Sequence, residues 1–387
     1  MATTWWAGKA PGYAARLALG GAIGLLWRTG SAGAMFSPLL VALIPTGETA
    51  SKRWIGAFGY FLGGAWDLPA AAATFFAPGQ ASFGPLLWLS SAALLALPWA
   101  WAASCSRAVA TLAISALPPL GMIGWLSPLT AAGLWFPGMG WMGLLLILGV
   151  CWTLGERRWI GVLALGLGSC VANRAYSPPR APPGWIGVNT QVGAARGDFM
   201  AQYARLNAWI SQVRRQSRGA NVVVLPETIA ANGWDGTRFV LRQAIPPGQT
   251  WLVGISIRNH QGLWDAIALA RTGQVESDPL FRAVLPVPLS MWTPWTREGY
   301  EASWWPALRT IEGQPTLAVI CYDQLLVWPW LEALLQHPRL IIAPSNSWWA
   351  RQSRIPTIEA TSSLAWTRLM GVALISAQNA SVALPSP

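Results

Sequence analysis

The sequence predicts a multi-helix transmembrane domain of about six to eight helices over residues 1–173, joined by a Pro-rich linker at 174–184 to an α/β domain over 185–387. Three observations predict it. Charged residues make up only 11% of the chain, against about a quarter in ordinary globular proteins. The acidic residues before Asn173 are Glu48, Asp67 and Glu156, whereas the remainder carries charge at the density of a water-soluble domain. Finally, three β-branched runs in the second half each end on a polar residue, as strands of an α/β sheet do.

The first half holds seven apolar segments, at about 17–27, 35–44, 54–76, 85–104, 108–125, 138–154 and 159–173. A full span needs roughly 20 apolar residues, or about 17 at the short end, so the first two are expected to be re-entrant or tilted. Alternate connections hold Lys9, Arg16, Lys52, Arg53, Arg107, Arg157 and Arg158 on one side against Arg28 on the other. The positive-inside rule then puts the amino terminus in the cytoplasm of a bacterial inner membrane and the second half in the periplasm. The +11 net charge follows from these topology determinants, so direct nucleic-acid binding is not expected. A transporter or channel has thin support, because Arg28 and Asp67 are the intramembrane charges available to it.

The linker, Arg174-Ala-Tyr-Ser-Pro-Pro-Arg-Ala-Pro-Pro-Gly184, carries four prolines, which cannot continue a helix. Beyond it, Trp185 to Gln191 reads as a first strand. Asn221 to Leu225 reads as a buried strand, after which Pro226 and Glu227 present a carboxylate. The run Pro315 to Cys321 ends on a thiol followed by Tyr322 and Asp323, and the run Arg339 to Asn346 ends ahead of Trp348 and Trp349. Ligands gather beyond such strand ends.

Cys321 stands as the sole thiol after Cys170, with no partner for a disulfide within its half. It is either a buried structural cysteine or a nucleophile. A nucleophile needs a group to take its proton. His260 and His337 both sit in turn-like sequence, which leaves a carboxylate as base, and Glu227 is the candidate. No HExxH, CxxC, P-loop or GxGxxG stands in this half, so neither metal nor cofactor is expected.

The order Leu-Pro-Glu227, a basic residue ahead of Val-Pro, Ile-Cys321-Tyr-Asp and Ser-Asn346-Ser-Trp resembles the nitrilase (carbon-nitrogen hydrolase) superfamily, and above all apolipoprotein N-acyltransferases. The likeness covers nearly the whole chain, with Ala360 to Ser381 matching the helix and strand after the nucleophile. It implies an α-β-β-α sandwich and a Glu-Lys-Cys triad, in which Glu227 is general base and Cys321 forms an acyl thioester. It further implies amide hydrolysis or N-acyl transfer, a membrane lipid or a lipidated or peptide substrate, and substrate contacts from Tyr322, Asp323, Asn346 and Trp348. The length and the end at Pro387 fit shorter plasmid-encoded members that act in conjugation, which implies the conjugation machinery as a partner. The chain departs from the triad in having no lysine after Lys52; Arg282 stands at the expected place, and Leu289-Ser-Met-Trp replaces a family glutamate. Arginine holds charge but essentially never deprotonates. Two readings therefore remain open: an enzyme with Glu227, Arg282 and Cys321, or a catalytically degenerate member of the apparatus. Trp292, Trp295, Trp304 and Trp305 form a cluster suited either to the membrane interface, admitting a lipid acyl donor, or to packing on the sheet.

Overall fold

The computed structural model describes residues 12–76, 83–195, 197–230, 234–260, 262–296, 298–350 and 353–380. The chain divides into two compact units, Met1–Tyr176 and Ser177–Pro387.

The first unit is built from α1 (Tyr13–Leu25), α2 (Ser31–Ala34), α3 (Leu39–Leu43), α4 (Ala50–Gly64), α5 (Leu68–Phe75), α6 (Phe83–Ala96), α7 (Cys105–Ile114), α8 (Ala132–Trp135), α9 (Gly140–Gly155) and α10 (Trp159–Ala175). The pair α1 and α4 is held by small residues. A Cβ on Gly20 would lie 2.0 Å from the Gly56 carbonyl oxygen, one on Gly24 2.0 Å from that of Tyr60, and one on Gly59 2.3 Å from that of Leu17. Backbones approach this closely only without side chains between them, which is how helices associate in an apolar solvent. Cations within the unit turn to polar partners. Arg16 donates to Thr46, Arg53 to the Gly47 and Ala100 carbonyls at 2.8 Å each, and Arg28 pairs with Asp67 at 2.8 Å.

Helix lengths do not by themselves bear out the expected six to eight transmembrane helices. Among the described residues, Phe83–Trp101 is the one helix long and apolar enough to cross a membrane, and the pair Pro128–Trp135 and Gly140–Gly155, bent by 115°, would make a second. The 54–76 segment breaks between α4 and α5, where Gly63, Gly64 and then Pro69 interrupt the ladder. The outer faces remain apolar: Ile160, Leu163, Leu167 and Val171 form a stripe along α10, each at least 67% exposed. That helix runs to Ala175, two residues into the expected linker, and extended chain follows.

The second unit holds two sheets. One has β1 (Trp185–Gly187), β2 (Val222–Val224), β3 (Thr250–Asn259), β4 (Gly262–Arg271) and β5 (Gln274–Val275) in that order, with β6 (Phe281–Arg282) also on β4. The other runs β10 (Ala373–Asn379), β9 (Leu340–Asn346), β8 (Gln314–Ala318), β7 (Leu308–Ile311). Alternation decides the faces. Val222, Val224, Leu252, Ile267 and Phe281 meet Ala318, Ile320, Leu340, Ile342 and Ile375 between the sheets. Val223, Leu225, Trp251, Val253 and Ala266 point outward against Trp209, Ile210 and Val213 of α11 (Phe199–Gln216) and Leu241 near the end of α12 (Trp234–Ala244). On the far side, α13 (Val327–Gln336) and α14 (Ile355–Met370) stack Trp330 on Trp366, centroids 6.3 Å apart. The result is a four-layer α-β-β-α sandwich, the nitrilase-like α/β fold that the sequence implies. The Asn221–Leu225, Pro315–Cys321 and Arg339–Asn346 runs supply β2, β8 and β9. His260 and His337 lie at the β3–β4 turn and just past α13.

Candidate active site

The site forms beyond the carboxyl ends of β2, β8 and β9. Three residues past β2, the chain turns at Glu227 and passes through Thr228, whose φ is +42°. Gly254 on β3 makes room for this turn, since a Cβ there would sit 2.1 Å from the Pro226 carbonyl oxygen and 2.7 Å from the Glu227 Cα. Asn346, at the end of β9, fastens the turn from the other sheet: its amide donates to the Glu227 carbonyl oxygen and to Thr228 Oγ1, each at 3.1 Å. Asn379 donates in turn to Asn346 Oδ1 at 2.9 Å and accepts from Thr190 Oγ1 at 3.0 Å. Both sheets are thereby tied at one rim.

Cys321 opens the 3₁₀ turn Cys321–Leu325 with φ +44°, a strained conformation for a residue with a side chain. The Glu227 carboxyl, itself 4% exposed, hydrogen-bonds with the Cys321 thiol and with the Asp265 carboxyl, and the Asn346 backbone N–H also reaches it. Burial outweighs these contacts and pushes Glu227 up to about 7. Burial, then the Glu227 charge, lifts Asp265 well above the ordinary carboxylate range. Cys321 retains some exposed surface, yet withdrawal from water and then the charges of Glu227 and Glu359 hold its thiol well above its ordinary value. In this state the sulfur is a protonated thiol at neutral pH.

Residues that the strand-end pattern left unseen complete the surroundings. Asp265 projects from β4 toward the intersheet side, the face of Ile267 and Leu269. Glu359, on α14 and 6% exposed, is lifted by burial to about 8 against a hydrogen bond with Ser345. Ser256 pairs with Asp265 across the β3–β4 ladder and shares a 2.7 Å hydrogen bond with the Tyr300 hydroxyl. Tyr300 is raised first by burial, with smaller contributions from Asp265 and Glu227, while Arg258 opposes.

Arg282 lies elsewhere. It pairs with Ala266, whose side chain faces the outer helices, and its guanidinium sits 4.3 Å from the centroid of Trp264 on that same outer face. The structure thus separates Arg282 from Glu227 and Cys321, on the opposite face of the sheet from Asp265. Asp323 is corrected as well. Fully buried, it accepts from the backbone N–H groups of Val284 and Leu285 at 2.8 Å each, so it anchors the chain after β6 instead of facing a substrate. Tyr322 and Trp348 are half-buried beside the thiol turn and after β9, and Trp349 donates to the Asn346 carbonyl oxygen at 2.8 Å. Trp292 packs edge-on against Trp304, while Trp295, Trp304 and Trp305 stay 46–66% exposed.

Over 379 residues the chain is 33% identical to the conjugal transfer protein TraB of Agrobacterium fabrum, a match spanning 89% of this chain and 87% of that protein. The chain belongs to the TraB family. A probable TraB of Sinorhizobium fredii is 29% identical, spanning 88% of this chain and 92% of its own length. No family model matches the chain. Among solved structures, an amidase from Nesterenkonia sp. is 15% identical with a TM-score of 0.37, covering 50% of this chain and 74% of its own. A glutamine-dependent NAD+ synthetase from Acinetobacter baumannii is 12% identical with a TM-score of 0.33, covering 42% of this chain and 32% of its own.

Proposed function

We propose that this TraB-family protein is a membrane-embedded component of a plasmid conjugation apparatus whose sandwich domain performs acyl transfer or amide hydrolysis through a Cys321 thioester. The observation that carries the chemistry is the Glu227 carboxyl set against the Cys321 thiol. A base poised at about 7 is matched to taking a proton near neutrality. Glu227 receives the thiol proton as sulfur attacks the carbonyl of an ester- or amide-linked acyl donor. The C–S bond forms, the C–O or C–N bond breaks, and the proton passes from Glu227 to the departing alcohol or amine. Water or an amine then releases the acyl group. The conjugation role comes from the relatives' names, and the membrane setting is supported by the apolar outward stripe of α10 and by the cation distribution of the first half. In this reading the unit sits in a bacterial inner membrane, its six to eight crossings made partly by broken helix pairs, with the amino terminus cytoplasmic and the sandwich periplasmic. The exposed Trp295, Trp304 and Trp305 would face the lipid interface from which a lipid or lipidated acyl donor arrives.

One observation favours a second reading, a degenerate site kept as a structural part of the apparatus: Arg282 stacks on Trp264, so the expected Glu-Arg-Cys arrangement is not assembled. Mating assays separate the two. At matched protein level and membrane insertion, Cys321→Ser is expected to lose conjugal transfer; wild-type transfer by that variant would leave the degenerate reading standing.

A further inference from the structure

The edge of the sandwich where β2, β3 and β9 begin, opposite the edge that carries Cys321, is strongly basic. Arg214 and Arg215 stand in the last turn of α11, and Arg218 follows just beyond its end at Gln216. Arg242 lies in the last turn of α12, and Arg339 directly precedes β9. Glu312, in the β7–β8 turn at the same edge, is already paired with Arg271 at 3.0 Å. Cations in the last turn of a helix offset its dipole, which accounts for Arg214, Arg215 and Arg242 as single residues. Arg218 lies past that turn, where the effect has faded. It shares a pocket with Arg214 instead.

The pocket is open, measures about 420 Å³, and is lined by the segments Arg214–Asn221 and Pro246–Gln249. Its frame is fixed by hydrogen bonds. Gln249, 8% exposed, donates to the Ser217 carbonyl at 2.7 Å and accepts from Trp251 Nε1 at 2.9 Å, which ties the two segments together. The Asn221 N–H donates to the Gly184 carbonyl at 2.7 Å. Gly219 and Gly248 turn the chain at φ +78° and +80°, and a Cβ on either would meet nothing within 4 Å, so the mouth stays wide. The Arg214, Arg218 and Asn221 side chains are exposed on this rigid frame. Among the described residues, no hydrogen bond or ion pair occupies either guanidinium.

We propose that this pocket is a phosphate-binding site, in which the Arg214 and Arg218 guanidiniums and the Asn221 amide hold the oxyanion of a phosphate ester. A guanidinium presents paired N–H donors in a planar fork that matches two phosphate oxygens at once, and it keeps its charge at any working pH. The further arginines along the edge raise the local potential and draw an anion toward the mouth. Liquid water takes about 30 Å³ per molecule, so the pocket has room for an ester substituent as well as the phosphate. A phospholipid headgroup and a soluble phosphate monoester share this chemistry. The site lies at the other end of the strands from Glu227 and Cys321, and its occupation is independent of any reaction at the thiol.

The test uses the full-length protein in detergent, at an ionic strength held constant with sodium chloride, and follows binding by titration calorimetry and phosphorus NMR line broadening. The probes are inorganic phosphate, glycerol phosphate as a soluble monoester, and glycerophosphoglycerol as a phospholipid headgroup without its chains. Inorganic phosphate is expected to bind and to be displaced by an ester. Stronger displacement by glycerophosphoglycerol assigns the lipid source, and stronger displacement by glycerol phosphate the soluble one. Arg214→Gln and Arg218→Gln should each weaken binding by about tenfold or more, the scale of one charge-assisted hydrogen bond. Both arginines are exposed, so neither replacement should disturb the fold. Absence of binding by all three probes, or unchanged affinity in the Arg214→Gln/Arg218→Gln double variant, would overturn the proposal. So would a single-stranded oligonucleotide that binds where none of the three small probes does. Cys321→Ala should bind phosphate as the wild type does, and the double arginine variant should keep the alkylation rate of Cys321.

Discussion

At Glu227 the balance between burial and hydrogen bonding sets a proton affinity close to neutrality, and two residue-level predictions follow from such balances. Alkylation of Cys321 by iodoacetamide should accelerate as pH rises through about 7, where Glu227 becomes the carboxylate able to take the thiol proton. Glu227→Gln should slow it by about 10²–10⁴-fold and flatten that profile, the usual scale for a positioned base. The second concerns Glu359. Its folded value near 8 lies above the ordinary 4.5, so the folded state holds a proton that the unfolded chain has released between those limits. Its contribution to stability is complete below about 4.5 and is lost as pH rises through 8, at about 1.4 kcal/mol per pH unit for one proton. Melting curves should therefore show Glu359→Gln gaining on the wild type at pH 8 and matching it near pH 4.5. Cys321, Glu227 and Asn346 were legible because each follows a β-branched run that names its strand. Asp265 was not, since one acid within Trp-Asp-Ala-Ile-Ala gives no sign of which face it takes. Arg282 was misplaced by a single position: Phe281 and Ala283 pack between the sheets, and the residue between them points the other way.

Among the elements, the sharpest dependence is on close backbone approach. Gly254→Ala would drive a methyl into the Pro226 carbonyl, displacing the turn that carries Glu227. Overpacking of this kind costs typically about 1–3 kcal/mol. Thiol reactivity at Cys321 should fall with it, and a variant that kept both its melting temperature and its reactivity would contradict the geometry. In the first unit, Gly24→Leu or Gly59→Leu should disrupt the α1–α4 pair, seen as lost protease resistance in detergent, whereas Gly166→Ala, where an added Cβ meets nothing within 4 Å, should be silent. Asp323 belongs at this scale too. Asp323→Ala strands two buried N–H groups, each worth about 1–3 kcal/mol, and should destabilise the sandwich in chemical denaturation. Apolar segments were readable along the first half, but their breaks were not. Hydropathy averages over Gly63, Gly64 and Pro69, while the helix ladder responds to each of them.

The whole molecule joins two units of contrasting composition in one chain, and composition made that division visible because acids are nearly absent before Asn173 and frequent after it. The layers of the sandwich were foreseen through the nitrilase resemblance, while the order of its strands had to come from pairing. What the account stands on is Cys321 as an acyl-carrying nucleophile served by Glu227. The most direct measurement is intact-protein and peptide mass spectrometry of the full-length protein in its own membrane after feeding a clickable fatty acyl chain. The account predicts a hydroxylamine-labile adduct on the Cys321 peptide, strongly diminished in Glu227→Gln and absent in Cys321→Ala. An adduct of equal yield in Cys321→Ala, or a wild-type thiol that never acquires one while conjugation proceeds, would contradict it.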